Sequence, residues 1–138
     1  MKTQIVLASA SKYRAASLRR IGLKFTQHPA AIDETPDSQE NAAELASRLA
    51  REKAQSLVAA HPNSVIIGCD QSGSCNGMLL HKPGNLEMAK HQLTRMSGQE
   101  AFFYTAMTMI VTENAEVQRI SHDLDTTRLK LRPLTTLE

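Results

Sequence analysis

The run Ser-Val-Ile-Ile-Gly-Cys-Asp-Gln at residues 64–71 decides the fold. Val65, Ile66 and Ile67 are consecutive β-branched residues, and such a run reads as a strand covered on both faces, the mark of an α/β layer. The run ends in Asp70. A carboxylate at the end of a buried strand is too costly to leave unpaired, so Asp70 is expected to meet a cation, a metal ion or hydrogen-bond donors. Strand ends are also where α/β proteins keep their chemistry. On this segment alone, a carboxylate that caps the next turn is an equal alternative.

Upstream, residues 5–8 form a first short strand. Ser9, Ala10 and Ser11 make a small-residue turn into a helix over 12–21 that Gly22 stops. A strand, a serine turn and a helix N-terminus present free N–H groups and hydroxyls, which suits a phosphate. Arg14 in the first helical turn opposes the helix dipole, so a bound anion explains its position better than helix stability does; a solvated arginine is the ordinary alternative. Residues 23–28 are a second strand, and 29–38 a loop whose acids, Asp33 and Glu34, either reach a metal or are simply solvated. The longest helix runs over 41–60, with Leu45, Ala46, Leu49, Ala50, Ala54, Leu57 and Val58 on a 3.6-residue stripe and Asn41 and Glu44 as a capping box. Lys53, toward the edge of that stripe, is either a snorkelling surface lysine or a phosphate contact.

Downstream, Gly73 and Gly77 bracket a turn before a short returning strand at 78–80. Pro83 fixes the backbone beside Lys82. A helix over 86–96 places Leu86, Ala89, Leu93 and Met96 on one face. A long strand over 99–112 carries Phe103, Met107, Met109 and Val111 on one face, Asn114 and Ala115 make a turn, and an alternating, half-exposed strand begins at Val117.

With 138 residues and 41% hydrophobic content, the chain reads as one domain able to bury a core. Sixteen basic residues balance fourteen acidic ones, leaving a net charge of +2, too little for a nucleic-acid binder. Cys69 and Cys75 have no second pair to complete a zinc site, and the five histidines show no metal-ligand spacing. No stretch approaches the roughly 20 apolar residues of a membrane helix. The expectation is a soluble cytoplasmic protein with no nucleic-acid or membrane partner.

Six segments, taken in order, resemble the Maf family of nucleotide pyrophosphatases, and more closely its branch acting on 7-methyl-GTP. They are LASASKYR at 7–14, DETP at 33–36, RLAREKAQSL at 48–57, IIGCDQ at 66–71, HKP at 81–83 and SGQEAFFYT at 97–105. The resemblance implies an α/β fold with a bent mixed sheet flanked by helices, similar to inosine triphosphatases, and cleavage of a nucleoside triphosphate to the monophosphate and pyrophosphate. By matching position, Asp70 is the catalytic carboxylate, and Ser11, Arg14, Lys53 and Lys82 handle the phosphates. Glu34 is a second acid that with Asp70 would hold a divalent cation, magnesium or manganese. Tyr13 and Gln71 fall where the family chooses its base, and a tyrosine ring suits the delocalised positive charge of a methylated purine. Lys12, Ala15 and His81 depart from the family's usual proline, arginine and glycine.

Family members continue well past Glu138. The expectation is therefore a single Maf-like domain over 1–138 lacking its C-terminal part, less stable and less active than a longer form, and prone to pair with a second copy as a homodimer. The competing reading is a non-catalytic protein that binds nucleotide weakly or only self-associates.

Overall fold

The structure, a computed structural model, describes residues 3–135. Residues 1–2 and 136–138, and with them the interruption expected at Glu138, lie outside the described part. The chain order is β1 (Gln4–Ala8), α1 (Lys12–Arg20), β2 (Thr26–His28), α2 (Ala42–Gln55), β3 (Ser64–Cys75), β4 (Met78–Leu80), α3 (Leu86–Met96), β5 (Glu100–Glu113) and β6 (Glu116–Lys130). These strands make one mixed six-stranded sheet in the order β2-β1-β3-β5-β6, with β4 also paired to β3. β1 runs parallel to β2 and β3, while β3 is antiparallel to β4 and β5, and β5 to β6. The expected α/β class and mixed sheet are present.

Two helices cover opposite faces of the sheet, as the unbroken apolar run in β3 requires. Val6, Ala8, Ile66 and Ile110 pack with Ala54, and Ala106 packs with Ala46 and Ala50, so α2 covers one face. Leu7 and Ile67 pack with Ala15 and Leu18, so α1 covers the other. α2 comes unusually close to the sheet at Gly68: a Cβ there would lie 2.2 Å from the Ala50 carbonyl oxygen and 2.8 Å from the Ala54 nitrogen. A small residue in the strand and alanines in the helix permit that approach.

Several expectations are corrected. β3 does not end at Asp70; it continues to Cys75, because β5 pairs with it from Val65 through Cys75. Gly73 therefore lies within the strand, and the turn is Asn76-Gly77, both with positive φ. α2 ends at Gln55 rather than near Ala60. The Ser56 hydroxyl donates to the Lys53 carbonyl, and Leu57 and Val58 form tighter turns onto Ala54 and Gln55.

Phe103, Met107, Met109 and Val111 do share a face of β5, but α2 packs on the other one, over Ala106, Thr108 and Ile110, which are fully buried. Leu86 and Leu93, expected on an apolar helix face, are exposed, and Met96 is the buried residue of α3. β6 is exposed along its whole length rather than on alternate residues. The turn at Asn114-Ala115 is as expected, with φ of 53° and 64°, the left-handed pair that a tight hairpin needs. No helix among the described residues is long and apolar enough to cross a membrane.

Candidate active site

β3 has two edges, and one of them is interrupted. β5 occupies one edge throughout. On the other, β1 pairs as far as Gly68, opposite Ala8, and β4 pairs from Gly73, opposite its last residue Leu80, to Cys75. Between them Cys69, Asp70, Gln71 and Ser72 have no strand neighbour on that edge among the described residues. The four-residue gap lies beside the end of β1, where the Ser9–Ser11 turn leaves the sheet for α1. The acid expected at a strand end sits in the middle of its own strand, but just past the end of that strand's neighbour.

Asp70 and Gln71 face opposite ways, because side chains alternate along a strand. Asp70 is on the α2 side. Its carboxylate oxygen Oδ1 accepts from Lys53 Nζ at 3.0 Å, and Oδ2 accepts from the Ser72 hydroxyl at 3.4 Å. The same ammonium is 2.9 Å from Glu34 Oε1. The side chains of Lys53 and Asp70 are only 11% and 10% exposed, whereas Glu34 is 56% exposed. The cluster is thus a buried ion pair with a second acid at its open side. Lys53 is not a snorkelling surface residue; α2 drives it against the strand to neutralise the acid, answering the cost of burying a lone carboxylate.

On the other side, Ser11 caps α1, accepting from the Arg14 N–H at 3.2 Å. Ser9 is buried, and its hydroxyl oxygen accepts from Ser11 N at 3.1 Å and from Arg14 Nη1 at 3.4 Å. Arg14 forms no ion pair among the described residues. Cys69 lies between the two groups. Burial pushes its thiol pKa up, while the charges of Arg14 and Lys53 pull it down and Asp70 raises it again. Cys69, in the gap, thus feels the charges of Arg14, Lys53 and Asp70 together.

Gln71 is on the α1 side. Its amide nitrogen donates to the Thr105 hydroxyl at 3.0 Å, across the Gln71–Thr105 register pair. Tyr13 lies on α1 and is 86% exposed, leaving its ring free to stack. Lys82 is not drawn into the ion-pair cluster. It lines a shallow cavity of about 170 Å³ with His81, His91 and Arg95, between β4 and α3.

Two contributors, Ser72 and Arg48, were missed by the sequence reading. Ser72 was legible as the same-face neighbour two residues after Asp70. The Arg48 network carried no signal: its guanidinium pairs with Glu40 and Glu52 and donates to the Thr35 carbonyl at 3.0 Å, pinning the loop that carries Glu34 onto α2. That pairing holds Glu40 below the usual carboxylate range, and hydrogen bonds from Thr35 do the same for Asp33. Asp33 is thereby turned into its own loop, leaving Glu34 as the acid that reaches the cluster.

Among solved structures, the fold matches the Staphylococcus aureus Ham1 protein with a TM-score of 0.56 at 15% identity, covering 93% of this chain and 71% of that one. It also matches a nucleoside-triphosphatase, dITP/XTP pyrophosphatase, of Mycobacterium abscessus, with a TM-score of 0.55 at 17% identity, covering 93% and 73%. The fold class is that of these Ham1-like proteins.

The sequence is more specific. The model described as Maf-like protein matches residues 4–138. The 7-methyl-GTP pyrophosphatase of Xanthomonas axonopodis pv. citri is 42% identical over 135 residues, 98% of this chain and 68% of that protein. The protein of the same name from Chromobacterium violaceum is 42% identical over 131 residues, 95% and 66%. This chain belongs to the Maf family and is by class a nucleotide pyrophosphatase, a hydrolase of acid anhydrides. It spans about two thirds of the length of these relatives.

Proposed function

We propose that the chain hydrolyses 7-methyl-GTP, or a closely related modified nucleotide, to the monophosphate and pyrophosphate, at the gap beside Asp70. What supports this is the buried Asp70–Lys53 ion pair at the interrupted edge of β3, next to the end of β1 where the serine turn and Arg14 begin α1. Relatives named for this substrate support the choice of nucleotide.

The triphosphate is placed across the end of β1, its oxygens on the Ser11 turn, Arg14, Lys53 and, from the β4 side, Lys82. The base is placed on the α1 side, stacked on Tyr13 and read by Gln71. Water attacks the α-phosphorus and the α–β bridging P–O bond breaks. The water proton passes to the Asp70 carboxylate, and the electron pair leaves with pyrophosphate. The cations balance the charge that develops on the departing group.

Asp70 and Glu34 offer only oxygen donors converging on one cation, and two carboxylates completed by substrate phosphates and water are a donor set that suits magnesium or manganese. Those two residues would hold the ion, which when bound would add further neutralisation of phosphate charge. The free thiols of Cys69 and Cys75 suit a reducing cytoplasm, the location we assign. A homodimer through the open β6 edge belongs to the same reading.

The test is release of pyrophosphate from 7-methyl-GTP, GTP, dTTP and UTP by this chain with magnesium. Preference for 7-methyl-GTP is expected. Equal rates on all four would remove the assignment of substrate, and release from none would favour the non-catalytic reading.

A further inference from the structure

Glu34 reaches the ion pair from a loop, and its own contact is too weak to hold it there. Its carboxylate oxygen Oε1 is 2.9 Å from Lys53 Nζ, but the side chain is 56% exposed, and an ion pair open to water gains little. What fixes the loop is Arg48, upstream of Lys53 on α2. Its guanidinium makes four hydrogen bonds. Nε and Nη2 form a fork on the two carboxylate oxygens of Glu40, Nη1 donates to Glu52 Oε2 at 3.1 Å, and Nη2 also donates to the Thr35 carbonyl at 3.0 Å. A planar guanidinium can grip a carboxylate with two parallel bonds and still reach a carbonyl beyond it, which an ammonium cannot.

The backbone on both sides of Glu34 is set as a result. Thr35, whose carbonyl goes to Arg48, donates its N–H and its hydroxyl to Asp33 Oδ1 at 2.9 and 2.6 Å. Further along the loop, the Asp37 N–H donates at 2.9 Å to the Glu40 Oε1 that Arg48 also holds, and the Glu40 N–H donates to the Asp37 carbonyl at 3.0 Å. The side chains of Glu40 and Arg48 are 12% and 30% exposed, so their fork is better shielded from water than the carboxylate of Glu34. The stronger contact therefore decides where the weaker one falls.

We propose that Arg48 is a positioning residue for Glu34: through the Thr35 carbonyl and the Glu40 fork it places that acid beside Lys53 and Asp70, and so governs how tightly the two carboxylates hold a divalent cation. The inference rests on the reading above in which Glu34 and Asp70 hold the ion. Arg48 itself bonds only to Thr35, Glu40 and Glu52 among the described residues.

Electron paramagnetic resonance of manganese(II) titrated into the full chain tests this, with 7-methyl-GTP turnover followed alongside. Glu34→Gln and Arg48→Met should each weaken manganese binding, Arg48→Met by about 10–100-fold, the range for a lost supporting contact. The double variant should bind no more weakly than Glu34→Gln alone, because a residue acting only through Glu34 has nothing left to position. Glu40→Gln, which removes the charge that Arg48 grips, should weaken binding in the same direction by less, so the result does not hang on the folding of Arg48→Met. Wild-type affinity in both Arg48→Met and Glu40→Gln, or a double variant in which the two losses add in full, overturns the positioning role while Glu34 keeps its own. Manganese bound as tightly by Glu34→Gln as by the wild type overturns the assignment of Glu34, and the role of Arg48 with it.

Discussion

Two unpaired stretches of the sheet among the described residues, the gap in β3 and the edge of β6, differ in length and in cover. The gap in β3 is four residues long, bounded by β1 and β4, and its acid is buried against Lys53. The edge of β6 is fifteen residues long and exposed on both faces, with its charges in water. A short recess with strands at both ends admits a small ligand and excludes another strand. A long unbounded edge does the opposite. The length of unpaired backbone and the cover around it thus separate the proposed reaction site from a long exposed strand within one sheet.

The largest effect that sharpens this contrast comes from the ion pair. Lys53→Ala would leave Asp70 buried without its cation and should cost about 3–5 kcal/mol in urea unfolding. Arg128→Ala, which removes a charge 66% exposed and 3.9 Å from Glu100, should stay within about 0.5 kcal/mol. Similar losses at the two positions would erase the distinction.

Next in size is Gly68→Ala. The added methyl meets the backbone of α2, which cannot rotate aside as a side chain can, so the helix must move and stability should fall by about 1–3 kcal/mol. A melting temperature equal to wild type would mean that the helix is held less tightly over the gap than its spacing implies.

A smaller effect belongs to Tyr13. Tyr13→Ala should weaken 7-methyl-GTP binding by about 0.5–2 kcal/mol, the scale of a cation–π contact, with GTP affected less and the melting temperature unchanged. Titration calorimetry with both nucleotides decides this, and equal loss for the two would take the ring out of base selection.

The smallest is a pH effect at the closed end of the sheet. Burial first, and then the charge of His28, hold His61 below the ordinary imidazole range of about 6.5. The unfolded chain therefore takes up the proton at higher pH than the folded one. Stability should be full above 6.5 and fall as pH drops through that value toward the lower folded one. Thermal melts of wild type and His61→Gln check this, since the variant should lose that slope.

How far the sequence reaches follows from the same contrast. The β-branched run, the Asn41 cap and the alanine stripe of α2 are local patterns, and each appears where its pattern predicts. Asp70 was legible as an anomaly because an acid after three apolar β-branched residues conflicts with its surroundings. What a local pattern cannot carry is where a neighbouring strand stops. The gap exists because β1 ends at Ala8 and β4 ends at Leu80, and the acid is mid-strand because β5 pairs on to Cys75, all facts about other segments. The same holds for β5: Met107 and Met109 look like core residues, yet the alanines of α2 select the opposite face. For β6, alternation promised one buried face, but burial needs a covering element, which no pattern within the strand encodes.

The most direct test of the central claim, that the acid in the gap performs the hydrolysis, is pyrophosphate release from 7-methyl-GTP by wild type and Asp70→Asn, with nucleotide binding measured in parallel. The account predicts turnover reduced by about 10²–10⁴-fold, the range for removing a general base, while the nucleotide still binds. Undiminished turnover in the variant would contradict it.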